Sequence, residues 1–134
     1  MGQTLSEPVT TKVSDSGEDD RHYYGASSMQ GWRVSMEDSH SAVLNLCPES
    51  DKHISWFAVY DGHGGKKKPW RKFLGSNLLL GDRVARYSGE NVHLIVKKQE
   101  PFETEEYITA LQDGFVATDT ALLEGKHSAT VFYG

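Results

Sequence analysis

The chain has 134 residues, 37% hydrophobic and 25% charged, so it holds one domain at most and its core is expected to be thin. Its formal net charge of −5 argues against broad nucleic-acid binding, which needs basic surface to displace counterions. The single cysteine, Cys47, rules out an intrachain disulfide framework and sets the expectation of a reducing, intracellular compartment; no apolar run reaches membrane-spanning length and no secretory signal is present.

Residues 1–21 are rich in Ser, Thr, Glu and Asp and contain no aromatic side chain. Such a segment buries too little apolar surface to offset its ordering entropy, which predicts a disordered tail. Met1-Gly2-Gln3-Thr4-Leu5-Ser6 fits the pattern for N-myristoylation on Gly2, although so short a pattern also arises by chance. One myristoyl chain gives only weak, reversible membrane association, and the tail adds no basic cluster to reinforce it.

Order is expected from His22 onward. Tyr23–Arg33 reads as a strand running into a turn, and Ser39–Leu46 as a second strand with His40, Ala42, Leu44 and Leu46 on one face. Cys47–Asp51 reads as a turn. Ile54–Tyr60 is the strongest strand signal, aromatic, β-branched and nearly continuous in apolarity, as suits a strand covered on both faces. Two helices follow. The first spans Asp82–Lys98, with Val84, Tyr87, Leu94 and Ile95 at helical spacing and Gly89 weakening its middle. The second spans Glu103–Leu123, with Ile108, Leu111, Phe115 and Leu122 as an apolar stripe and Pro101 marking the break before it.

Lys66–Gly81 fits neither neighbour. It opens with the basic cluster Lys66-Lys67-Lys68-Pro69-Trp70-Arg71-Lys72, readable as a loop for phosphate or nucleic acid, or as an insertion without function.

Chemistry concentrates at two places. Glu37-Asp38 lies between two expected strands, and Asp61-Gly62-His63-Gly64-Gly65 lies where the best strand ends. Carboxylates at strand ends, beside glycines that let backbone approach, suit a hard divalent cation. Asp61 and Glu37 are the candidate ligands, with the Gly62 carbonyl as a further oxygen. His63 has an unperturbed pKa suited to proton transfer, and Arg33 offers a planar donor fork for a phosphate. Each residue also has a plain alternative. Asp-Gly is a common turn, Glu37-Asp38 suits a solvated loop, and Arg33 suits a surface ion pair with Glu37.

The stretch from Tyr24 to His40, Tyr-Gly-Ala-Ser-Ser-Met-Gln-Gly-Trp-Arg-Val-Ser-Met-Glu-Asp-Ser-His, resembles the opening motif of type 2C protein phosphatases, the metal-dependent PPM family. Phe57-Ala-Val-Tyr-Asp-Gly-His-Gly-Gly65 resembles that family's second motif, and Tyr107–Leu123 its second helix. The resemblance covers roughly residues 22–65 and 82–124. It implies an α+β fold, an antiparallel β-sandwich flanked by helices (αββα), of which this chain would hold part. It also implies hydrolysis of phosphoserine and phosphothreonine in proteins at a site with two Mg²⁺ or Mn²⁺ ions. In that site Glu37 binds one ion, Asp61 bridges both, the Gly62 carbonyl contributes, and Asp38 holds water on the metal. Arg33 grips the phosphate, and His63 is the candidate general acid. The expected partners are phosphorylated proteins, not nucleic acid, and the expectation is a monomer in the cytoplasm or nucleus.

Two departures from the family pattern divide the chain into a tail (1–21), a partial phosphatase domain (22–124) interrupted at 66–81, and a tail (125–134) unlike the family. Both anomalies open with Gly-Lys, at Gly65-Lys66 and Gly125-Lys126, and the codons GGT-AAG contain GTAAG, a common intron start. The expectation is that both segments are translated intron, since removing Lys66–Gly81 joins Gly65 to Asp82. On that reading the chain itself has little activity, and the competing function is a non-catalytic isoform that at most binds partners.

Overall fold

The computed structural model describes residues 4–63 and 81–124. Four strands and three helices follow in chain order: β1 (Thr4–Glu18), β2 (Tyr23–Arg33), β3 (Ser39–Val43), β4 (Trp56–Tyr60), α1 (Gly81–Lys97), α2 (Glu100–Glu103) and α3 (Tyr107–Leu123). The strands form two antiparallel pairs, β1–β2 and β3–β4, which with the helices make an α+β fold.

The segment expected to be a disordered tail is instead a strand. β1 runs antiparallel to β2, with Glu18 opposite Tyr23 and Lys12 opposite Met29. The composition was read correctly, since most β1 side chains are exposed. Its order comes from hairpin closure rather than burial. Asp19 Oδ1 accepts the backbone N–H of Arg21 at 2.9 Å and of His22 at 2.7 Å, which sets the turn. Cross-strand pairs then fix the register: Tyr24 donates its hydroxyl to Asp15 Oδ2 at 2.8 Å, and the Ser14 and Ser27 hydroxyls meet at 3.1 Å. Gly2 and the rest of the first three residues lie outside the described residues.

β3 and β4 pair with Ser39 opposite Tyr60 and Val43 opposite Trp56. One face of this pair packs on α1: Trp56 donates its indole N–H to Ser41 Oγ at 3.1 Å, and Val43, Trp56 and Tyr60 close over the core. The opposite face, with His40, Phe57 and Val59, is largely exposed. β4 is therefore covered on one face among the described residues, not on both.

The core gathers Leu46, Cys47, Val92, Val96, Phe102 and Ala110. Cys47 is a buried structural residue. The two long helices form close to where periodicity places them, but their packed faces differ from those expected, with Leu122 alone of the expected α3 stripe buried. In α1 the buried positions are Ala85, Ser88, Gly89, Val92 and Val96, while Leu94 is exposed. In α3 they are Ala110, Gly114, Thr118 and Leu122, while Ile108, Phe115 and Val116 face outward. Small residues win because the elements approach closely. A Cβ on Gly114 would run into Val96, and one on Gly89 would lie 2.5 Å from Ser39 Oγ. Pro101 falls at the expected break, just after α1 ends at Lys97, where it sits in the first turn of the short α2, and Glu105, at φ 65°, makes the turn into α3.

Candidate functional site

The β3–β4 register builds the site. Ser39 lies opposite Tyr60 at the end of the ladder, and just beyond it Gly62 comes up against the backbone of Glu37. Two motifs more than twenty residues apart in sequence thus meet at one end of a strand pair. The approach is tight: a Cβ on Gly62 would run into the Glu37 carbonyl oxygen and lie 2.9 Å from the Gly81 carbonyl oxygen. Only glycine fits there, which explains the Asp-Gly dipeptide better than a free turn does.

A cavity of about 80 Å³ opens at this junction, lined by Met29, Gln30, Arg33, Ser35, Met36, Glu37, Asp38 and Gly62. Four of the six residues singled out from sequence therefore share one small cavity. Ser35 Oγ donates to Glu37 Oε1 at 3.0 Å and holds that carboxylate. The Gln30 amide donates to the backbone oxygens of Arg33 at 2.9 Å and Val34 at 3.2 Å, pinning the chain where it leaves β2. Neither supporting residue stood out in the sequence; their value comes from partners that only the fold reveals. Among the described residues the Arg33 guanidinium has no carboxylate partner, so the surface ion pair with Glu37 is not formed.

Asp61 and His63 are not among the lining residues. Their side chains are 80% and 83% exposed, with His63 Nδ1 3.9 Å from Asp61 Oδ1 and 3.3 Å from the Asp61 backbone oxygen. The N-terminus of α1 stacks on this loop, for a Cβ on Gly81 would lie 2.7 Å from both the backbone nitrogen and oxygen of His63. The chain therefore departs at His63 and returns at Gly81 to nearly the same place. The basic cluster Lys66–Lys72 falls between these points, outside the described residues.

Glu37, Asp38 and Asp61 are oxygen donors of the type a hard divalent cation takes, but among the described residues their carboxylates do not converge into a group of three ligating atoms.

Residues 22–78 match the family model described as protein phosphatase 2C. Over these residues the chain is similar to part of a protein phosphatase 2C domain. The match takes in both motifs and continues past Gly65 into Lys66–Gly81. Protein phosphatase 2C homolog 2 of Hypocrea jecorina is 50% identical over 129 residues, covering 92% of this chain and 26% of its own length. The Aspergillus flavus protein of the same name is 50% identical over 134 residues, covering 92% of this chain and 27% of its own length. Protein phosphatase 2C homolog 3 of Schizosaccharomyces pombe is 43% identical over 125 residues, again 92% of this chain and 26% of its own length. The chain thus spans about a quarter of the length of these relatives.

Proposed function

We propose that this segment supplies the phosphate-gripping and first metal-binding part of a metal-dependent protein serine/threonine phosphatase. The observation that carries the reading is the cavity shared by Arg33, Glu37, Asp38 and Gly62. Glu37 and Asp61 would hold Mg²⁺ or Mn²⁺ with the Gly62 carbonyl. Bound, such ions lower the pKa of a water and neutralise phosphate oxygens. The chain's own residues do the rest. Asp38, beside Glu37 in the cavity, would hold and orient a water by accepting its hydrogen bond. Arg33, without a carboxylate partner among the described residues, binds two phosphate oxygens through its planar fork. His63, well exposed beside Asp61, gives a proton to the leaving serine or threonine oxygen.

The test is a chimera: this chain through Glu124, without Lys66–Gly81, joined to the remaining length of the Hypocrea jecorina relative. It should hydrolyse a phosphoserine peptide only with Mg²⁺ or Mn²⁺, and Asp61→Asn should abolish turnover. Activity undiminished by exhaustive chelation, or retained in Asp61→Asn, overturns the reading.

A further inference from the structure

Away from that cavity, a second group of ligating side chains converges where the β1–β2 turn meets the segment leading into β4. Asp19, His22 and His53 each bring one ligating atom into a set whose members all lie within 4.8 Å of one another. His53 is the anchor. Its side chain is only 10% exposed, and its Nε2 lies 3.2 Å from Asp19 Oδ2. Both atoms are buried, yet neither makes a hydrogen bond. The two form an ion pair only when the His53 ring is protonated; with a neutral ring both are left without a hydrogen bond, a cost that a shared cation would recover.

The other oxygen of Asp19 is committed to the turn, through the N–H groups of Arg21 and His22, so Oδ2 is held in place and available. The His22 ring lies 5.4 Å from the His53 ring, with its Nδ1 3.9 Å from Asp19 Oδ1 and 3.3 Å from Ser55 Oγ. Ser55 in turn donates to the Leu44 carbonyl at 2.7 Å, which restrains that side of the site. Two ligands of a tetrahedral Zn²⁺, each at about 2.05 Å from the ion, stand ~3.3 Å apart. The His53–Asp19 separation of 3.2 Å meets that distance.

We propose that Asp19, His22 and His53 form a binding site for a divalent transition-metal ion of the Zn²⁺ class, tying the β1–β2 turn to the strand pair β3–β4. Two imidazoles and one carboxylate are borderline donors that favour such an ion over Mg²⁺, which prefers oxygen throughout. His22 is 47% exposed, so the ion has a route in and a coordination position left for water. The site is separate from the Glu37–Gly62 junction and does not rest on the phosphatase reading.

The experiment uses the untagged 134-residue chain in excess Mg²⁺, which saturates oxygen-donor sites. Zn²⁺ is titrated while all six histidine rings are followed by long-range ¹H–¹⁵N correlation. The rings of His22 and His53 should shift together and saturate at one equivalent, while those of His40, His63, His93 and His127 stay in place. Co²⁺ should give intense visible d–d bands of a tetrahedral centre. His22→Ala, at an exposed position, should weaken Zn²⁺ binding at least tenfold with the helix signal in circular dichroism unchanged. Absence of the His22 and His53 shifts at one equivalent overturns the proposal, as does a His53 shift that persists at unchanged Zn²⁺ affinity in both His22→Ala and Asp19→Asn.

Discussion

Arg33 leaves β2 with its backbone held by Gln30, beside a cavity that also holds Glu37 and Asp38, and without a carboxylate of its own among the described residues. On the proposed reading, Arg33 would bind phosphate in the ground state as well as the transition state. Arg33→Ala in the chimera should therefore raise KM for a phosphopeptide by at least tenfold, with a smaller fall in kcat, since a charge-assisted hydrogen bond contributes about 1.5–3 kcal/mol. Steady-state kinetics checks this, and an unchanged KM would remove Arg33 from the phosphate. At this scale the sequence was most informative about residues that sit within motifs. Glu37, Asp38 and Gly62 were legible because strand ends and glycines mark them locally. Ser35 and Gln30 were not, because a short polar side chain reveals its role only through its acceptor. Asp19, His22 and His53 were not legible either, since the cluster exists only once the β1–β2 turn approaches the entry to β4.

Among the elements, the long helices and the pairing strands were readable from periodicity, whereas their packed faces were not. An apolar stripe predicts burial only when the partner is large and distant. Here α1 and α3 meet through Ala110, Gly114 and Val96, so close approach of small side chains displaced Ile108 and Phe115 to the outside. β1 was missed for a related reason: composition reports burial, and a hairpin strand is ordered by backbone pairing and its turn. The contact of His63 with Gly81 carries a prediction for the segment between them. Because the chain returns to where it left, removing Lys66–Gly81 lets Gly65 take the place of Gly81 at the start of α1. The chimera without this segment should be as stable as the one with it, or more stable by about 1–2 kcal/mol, because a shorter loop costs less closure entropy. Thermal melting of the two forms decides. A lower midpoint for the shortened form would make the segment part of the fold.

For the whole molecule, burial and ligand number both bear on what the 134-residue chain can do alone. Its described core rests on a few side chains around Val92 and Val96, while Phe57, Val59, Ile108, Phe115 and Val116 stand at least half exposed. Exposed apolar side chains on a two-stranded pair and on a helix are surfaces that bind hydrophobic dyes and self-associate. The site is similarly sparse. Glu37, Asp61 and the Gly62 carbonyl are few oxygens for ions that take six or more ligands, so water would fill most positions and affinity would be weak. On the proposed reading, cations held so loosely would concentrate little charge on a phosphate. The stabilisation at stake is several kcal/mol, equivalent to about a hundredfold or more in rate. The 134-residue chain should therefore bind a hydrophobic dye and hydrolyse a phosphopeptide at least ~100-fold more slowly than the chimera at saturating Mn²⁺. Raising Mn²⁺ should leave most of that gap in place, because the deficit lies in the number of protein ligands as well as in occupancy. Measuring turnover for both proteins across a Mn²⁺ series tests this directly. Equal rates would mean that Glu37, Asp38, Asp61 and Gly62 suffice for the metal chemistry.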